Sequence, residues 1–228
     1  MSSFLIQGYV GDAIGFSARL SPLGEAKPLR VARTMVTCRI AVDALNELGV
    51  PAETETAYNY VNVHNPRCPL YFDADAHQWV CNSSCEDHPV WGINWAGAGL
   101  ICQHMGGRLP FEREWECFAS NNDPTKTYPW GNEPPTQQLA NFGENVGGTS
   151  PVGRYPASEL GLYDLAGNLS EWCQDVYRLP SGQSTRYERV VKGGAWSKDA
   201  HYLEIATSRG KWERLGTTTI GFRAVWDA

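Results

Sequence analysis

Asp164 and Glu171 flank the turn Gly167-Asn168-Leu169, which brings two carboxylates and several backbone carbonyls into one short stretch. Hard oxygen donors of this kind suit calcium, which takes about six to eight oxygens at relaxed geometry. Two surface acids capping a turn produce the same pattern. A second group, Asp199, His201 and Glu204, offers one imidazole and two carboxylates. Such a set could ligate Fe(II), but the usual non-haem arrangement has two histidines and one carboxylate, so His88 or His104 would have to join it. Otherwise the three are polar residues on the rim of a loop. Cys68, Cys81 and Cys85 bracket a turn-rich segment with His77 and His88 nearby. Their spacing matches no tight zinc-ribbon pattern and leaves a structural zinc, a local disulfide and free thiols all open. Seven cysteines cannot all pair within one chain, and Cys102 and Cys117, on helical patterns, read as small buried hydrophobes.

The elements that must position these groups are partly visible. Thr37 can cap a helix that sets Ala41, Leu45 and Leu48 on one face, with Gly49 at its end. From about Tyr58 to Pro89 the chain is rich in Asn, Pro, Cys and Asp, with strand-like pieces at Tyr71-Phe72 and Gln78-Trp79-Val80. A second helix is predicted from Trp95 to Met105, stopped by Gly106-Gly107. A third starts at Pro110 and lines up Phe111, Trp115 and Phe118. Beyond Asn121 turn residues recur every few positions, and short strands are expected at Arg189-Val190-Val191-Lys192 and Phe222-Arg223-Ala224-Val225.

The 228 residues suffice for one large domain with a real core, and an aromatic content of 11% with 23 glycines points away from disorder and from a helical bundle. A formal net charge of -6 with no dense Lys/Arg cluster argues against nucleic acid as a partner. No stretch is long enough to span a membrane, and Met1 to Gly8 lacks the charged region and apolar run of a secretory signal, so a cytoplasmic location is expected.

Several ordered motifs remain: Met35-Val36-Thr37, His88-Pro89-Val90, Asn94-Trp95, Gly107-Arg108-Leu109-Pro110, Glu114-Trp115-Glu116, Tyr128-Pro129-Trp130-Gly131 and Pro151-Val152-Gly153. They are followed by Gly161 to Trp172, Gly193-Gly194-Ala195-Trp196 and Gly221-Phe222-Arg223. Together these resemble the formylglycine-generating enzyme, or sulfatase-modifying factor, family. The resemblance implies an α+β fold: a single irregular C-type-lectin-like domain over residues 1–228, with short strands, few helices, many loops and its core motifs in 88–228. It also implies two structural calcium sites. One takes side chains from Asp164 and Glu171 and carbonyls from Gly167 and Leu169; the other, less well kept here, takes Asn141, Phe142, Glu144 and Val146.

Formylglycine-forming members use two cysteines shortly after the Gly-Gly motif to bind copper(I), in keeping with the preference of soft sulfur for that ion. Lys198 and Leu203 stand at those positions, no cysteine follows Cys173, Ser170 replaces a usual Trp, and Phe111 replaces a usual capping Thr. The known formylglycine chemistry is therefore not expected. In binding members of the family the segment before Gly-Phe-Arg forms the binding face. Here that region offers Trp172, Trp196, Tyr202, Arg209, Trp212 and Arg223, with Trp172 and Trp196 leaning toward the core, Arg223 toward a structural role, and Trp212 toward solvent. Two readings follow. The favoured one is a calcium-stabilised binding protein for a peptide or small-molecule ligand. The alternative is an oxidative tailoring enzyme, like members in bacterial secondary metabolism, using Asp199, His201 and Glu204 with Fe(II) or another metal.

Overall fold

Two helices begin at side chains that satisfy free backbone N–H groups, and both pack into one cluster of the core. In the computed structural model, which describes residues 4–20, 26–51, 60–62, 65–179 and 181–228, helix α1 spans Phe4–Gly11 and α2 spans Cys38–Glu47. Helix α3 spans Trp95–His104 and α4 spans Glu112–Ser120. The Thr37 side chain accepts from the Ile40 N–H at 3.3 Å, and the Asn94 side chain caps α3 through the Gly97 N–H at 2.9 Å. Phe111 has no side-chain acceptor to offer α4. Its own N–H is taken by Glu114 at 2.9 Å, and Asp175, far along the chain, accepts from the Glu112 N–H at 2.6 Å, doing the work of the missing cap.

Strands β1 (Ile14–Ala18) and β2 (Lys27–Val31) pair antiparallel, with Phe16 opposite Leu29. Strands β3 (Leu70–Asp73) and β4 (Gln78–Cys81) form a hairpin where two strand-like pieces are expected from the sequence. The expected stretch at Arg189 to Lys192 is the end of a nine-residue strand, β6 (Ser184–Lys192), which pairs with β5 (Ser170–Arg178) on one side and β7 (Arg209–Trp212) on the other. Strand β8 (Ile220–Gly221) adds to β5 in parallel, giving the order β7-β6-β5-β8, and β9 (Val225–Asp227) joins β2.

The single strand expected at Phe222 to Val225 is split. The Phe222 and Ala224 carbonyls accept from Val36 and Ala32, so this segment leaves one sheet and enters the other. Positions 58–59 and 63–64 of the Tyr58 to Pro89 section lie outside the described residues.

The apolar faces close over two main clusters. One gathers Leu45, Ile101, Trp172 and Phe222; the other gathers Phe16, Leu29, Trp115, Phe118 and Val190. Among the described residues no helix is long and apolar enough to cross a membrane. The result is a mixed helix and sheet architecture of four described helices and small sheets, joined by long irregular connections.

Candidate functional site

The motif residues meet in the interior. Glu171 on β5 receives Arg223 through the guanidinium Nε, 2.7 Å from one carboxylate oxygen and 2.9 Å from the other, and it accepts from the Trp115 indole at 2.9 Å. Arg223 also donates to the carbonyls of Ala32 at 3.1 Å and Tyr163 at 2.8 Å, and its exposure is 0%. A buried pair of this kind needs all its donors and acceptors matched, because both ions have left water. Arg223 therefore holds the fold together, and its place in the expected ligand set is corrected: it reaches no ligand. Trp172 is equally internal, donating to the Ile93 carbonyl at 3.2 Å.

The same bond tests the first calcium set. With both oxygens of Glu171 held by a guanidinium, this side chain does not fit a calcium ligand, and a divalent ion beside Arg223 would meet like charge. Asp164, also in that set, is buried and accepts from the Gly153 N–H at 2.8 Å; burial pushes its carboxyl above the usual carboxylate range. Gly167 has a positive φ, and a β-carbon there would stand 2.4 Å from the Asn141 carbonyl oxygen, so only glycine lets the two loops touch.

The second set behaves differently. Asn141 is buried, its amide donates to the Gly148 carbonyl at 2.9 Å, and its Oδ1 has no hydrogen-bond partner among the described residues. An orphaned buried acceptor is costly and needs an explanation. Ser150 Oγ nearby in the chain is orphaned too, although Asn168 bridges the Ser150 backbone at 3.0 Å and 3.1 Å. Glu144, on the exposed part of the same loop with Val146, adds a carboxylate. The orphaned oxygen leaves Asn141, of the set Asn141, Phe142, Glu144 and Val146, with a free hard donor of the kind a calcium ion takes.

That loop is stitched to the segment that replaces the family's cysteines. The Gly143 N–H donates to the Lys198 carbonyl at 2.9 Å and the Glu144 N–H to the Trp196 carbonyl at 2.7 Å. Ser170, standing where a Trp is usual, donates its hydroxyl to the Gly194 carbonyl at 3.0 Å. Trp196 is half-buried with its indole on the Thr218 carbonyl at 3.1 Å. Leu203 is 0% exposed and packs with Tyr128, Ala140 and Ala166.

Tyr202 and Arg209 are brought together: Arg209 Nη2 donates to the Tyr202 hydroxyl at 2.7 Å, and its guanidinium carbon lies 4.6 Å from the ring centroid. Trp212 is 58% exposed, but strand alternation puts it on the face of β7 opposite Arg209. The expected ligand set is thus split among a rim, the opposite face of an edge strand, and the core.

Among the described residues, no three or more His, Cys, Asp or Glu side chains converge closely enough to hold a metal ion. This corrects the Asp199, His201 and Glu204 iron set. Asp199 and His201 are exposed, His201 lies against Tyr202 with ring centroids 3.9 Å apart, and Glu204 lies beside Tyr128, whose phenol is pushed up by burial and then by this carboxylate. The histidines proposed to complete the set are engaged elsewhere, His88 with Thr149 at 2.9 Å and His104 with Glu47 at 2.7 Å. Cys68, Cys81 and Cys85 are likewise not gathered as a metal-binding group among the described residues, although all three lie close enough to Cys38 to raise its thiol further after burial has done so. All seven cysteines are free thiols, and burial pushes Cys68 up to about 11.

Sequence reasoning missed two features. Arg189 stacks 3.9 Å from the Trp95 ring centroid and pairs with Glu213 at 2.9 Å, tying α3 to the sheet. An open cleft of about 600 Å³ lies between α4 and Ile205-Ala206, bordered by Arg19, Arg113 and Lys126. Two of those cations are already paired, Arg113 with Glu116 and Lys126 with Glu159. Neither feature has a local sequence signal, since each joins positions far apart in the chain.

The serine/threonine-protein kinase Pkn1 of Chlamydia trachomatis is 38% identical over 152 residues, covering 61% of this chain and 24% of that protein. The inactive C-alpha-formylglycine-generating enzyme 2 of Mus musculus is 33% identical over 156 residues, covering 61% and 49%. The formylglycine-generating enzyme of Bos taurus is 36% identical over 166 residues, covering 62% and 44%. The chain thus spans between about a quarter and a half of the length of these relatives. Among solved structures, Treponema denticola variable protein 1 shares the fold with a TM-score of 0.66 at 17% identity, covering 95% of each chain. Residues 48–228 match the sulfatase-modifying factor enzyme 1-like domain, and the chain belongs to that family.

Proposed function

We propose that this chain is a noncatalytic, ligand-binding member of the family, with a calcium-tied loop behind its binding face. The observation that carries the reading is the replacement of the two copper-binding positions by Lys198 and Leu203, with Leu203 sealed into an apolar cluster. An ammonium and a hydrocarbon cannot supply the soft thiolates that copper(I) prefers. The mouse relative named as inactive supports the idea that the fold persists without the chemistry.

The binding face is the rim formed by Trp196, Lys198, Tyr202 and Arg209, and its ligand is a peptide or small molecule. Calcium is assigned to the loop of Asn141, Phe142, Glu144 and Val146, where it would satisfy the orphaned Asn141 Oδ1. That loop donates to the Trp196 and Lys198 carbonyls, so its order is passed to the rim. Free thiols throughout suit a reducing compartment, and we place the chain in the cytoplasm.

Oxygen uptake tests the proposal. The protein, supplied in turn with Cu(I) and Fe(II) and given reductant and a cysteine-containing peptide, is expected to consume no more oxygen than buffer with the same metal. Uptake that requires the folded protein would support the tailoring-enzyme alternative and defeat this reading.

A further inference from the structure

The ring of Tyr202 is flanked by cations. The Arg209 guanidinium is laid 4.6 Å from its centroid, Lys198 Nζ is 5.9 Å from the same point, and the exposed imidazole of His201 touches the ring. Among the described residues neither Lys198 nor Arg209 has a carboxylate within 4.0 Å. Of the acids closest to them in the chain, Asp199 is exposed ahead of the 3-10 turn Ala200–Leu203, Glu204 lies beside Tyr128, and Glu213 is paired with Arg189 at 2.9 Å.

The backbone beneath the three side chains is fixed. The Tyr202 N–H donates to the Asp199 carbonyl at 3.0 Å, and the Tyr202 carbonyl stands 2.9 Å from where a β-carbon on Gly194 would be. The Lys198 N–H donates to the Ala195 carbonyl at 2.9 Å, and Arg209 is in register with Val191 on β6. A guanidinium with one nitrogen anchored on a phenol keeps its remaining N–H groups in a defined plane, the geometry that receives a carboxylate through two parallel bonds. A nearby ammonium adds a point charge, and the aromatic faces add apolar contact for the group carrying the carboxylate.

We infer that the ligand of this face carries a carboxylate, bound by Arg209 and Lys198 beside the Tyr202 ring. The inference rests on the noncatalytic binding reading and specifies its ligand class. The carboxylate can belong to an acidic peptide or to a small organic acid.

Calorimetry on the full chain at low ionic strength distinguishes these with three probes: a tetraglutamate amide peptide, its tetraglutamine counterpart, and acetate, a monocarboxylate that chelates calcium only weakly. Saturable binding of the glutamate peptide or of acetate, without binding of the glutamine peptide, is expected, and whichever binds names the source. Arg209→Ala and Lys198→Ala should each weaken it about tenfold or more, the scale of a lost charge-assisted hydrogen bond. Arg209→Lys should recover only part of the loss, because a point charge lacks the fork. Circular dichroism of each variant establishes that these surface changes leave the fold intact. Unaltered affinity in folded Arg209→Ala, or failure of both carboxylate probes to saturate, overturns the inference. Equal binding of the glutamine peptide overturns the carboxylate assignment while keeping a binding module. Failure of the module itself is registered separately, by protein-dependent oxygen uptake.

Discussion

Arg223 and Glu171 form a fully buried ion pair that ties the Gly-Phe-Arg motif to strand β5, with the Trp115 indole completing the carboxylate's partners. The residues that mark the family most clearly are thus bonded to one another inside the protein. Arg108 repeats the theme at the edge, holding Glu114 at 2.7 Å and Asp227 at 2.7 Å. These motif residues hold the scaffold together.

Removing one partner of the central pair leaves an unpaired buried charge. Arg223→Met and Glu171→Gln are each expected to destabilise the fold by about 3–5 kcal/mol. Urea denaturation measures this. A loss below about 1 kcal/mol in either variant would show that the pair is not the internal tie assigned to it.

The α4 N-terminus relies on a borrowed cap. Asp175→Ala should cost about 1 kcal/mol by freeing the Glu112 N–H, whereas Phe111→Thr, which restores a side-chain acceptor at the cap position, should recover a similar amount. Thermal melts of the single and double variants decide it. Equal effects of Asp175→Ala with and without Phe111→Thr would mean that the two do not serve the same helix end.

Leu203, where the family resemblance implies a cysteine, is packed into an apolar cluster. Leu203→Ala should lower stability by about 2–5 kcal/mol through lost burial and a residual cavity. A near-neutral result in a denaturant titration would indicate that the site is open, as a working thiolate site would be.

Acid should loosen the cluster at the chain's carboxyl end. Hydrogen bonds from Arg108 and Lys27 hold the Asp227 carboxyl well below the usual range. Burial pushes Glu114 up, but its bonds from Arg108, the Phe111 N–H and Lys27 outweigh this and leave it lowered too. Depressed folded values mean stabilisation that is full above the unfolded carboxylate pKa, at about pH 4, and is lost as pH falls through the folded values. Asp227 contributes the smaller part because it is largely exposed. Asp164 runs the other way: raised by burial, it favours the protonated form and stabilises below about pH 4, an effect lost as pH rises. Arg108→Met should therefore flatten the fall in stability below about pH 4. An unchanged acid limb in that variant would place the acid-sensitive groups elsewhere.

Much of the helical part was legible because its signals are local. Thr37 and Asn94 stand at helix starts, and apolar residues recur at helical spacing behind them, so α2 and α3 emerge within a residue or two of their observed ends. The sheets were less legible. Strand β5 runs on from a turn motif through Ser-Glu-Trp-Cys-Gln-Asp, a sequence with no alternation, and its membership is fixed by β6 and β8. Strand β7, Arg-Gly-Lys-Trp, has no apolar run at all and is held at the edge by pairing with β6.

Closeness in sequence also misled. Asp199, His201 and Glu204 are neighbours in the chain, yet the 3-10 turn between them sends the imidazole to Tyr202 and the glutamate toward Tyr128. The resemblance implies Glu171 as a calcium ligand, and the sequence alone does not show that its carboxylate meets Arg223, which is distant in sequence and adjacent in space. The orphaned Asn141 oxygen, the stronger pointer to a cation, cannot be read from residue types.

Calcium should act through that oxygen. Added calcium is expected to raise the melting temperature of the unaltered chain, with stabilisation of about 2.7 kcal/mol at a hundredfold excess over Kd, and to leave Asn141→Ala unmoved. An equal rise in both proteins would remove Asn141 from the ligand set.

The proposed loss of redox chemistry is tested most directly by counting metals. Protein purified without chelator, exposed anaerobically to Cu(I) and then to Fe(II) and desalted, is analysed for calcium, copper, iron and zinc per chain. Calcium without a stoichiometric redox metal is the expected result. One copper or iron per chain that disappears in His201→Ala would contradict it and establish a rebuilt metal centre on the Lys198 to Glu204 segment.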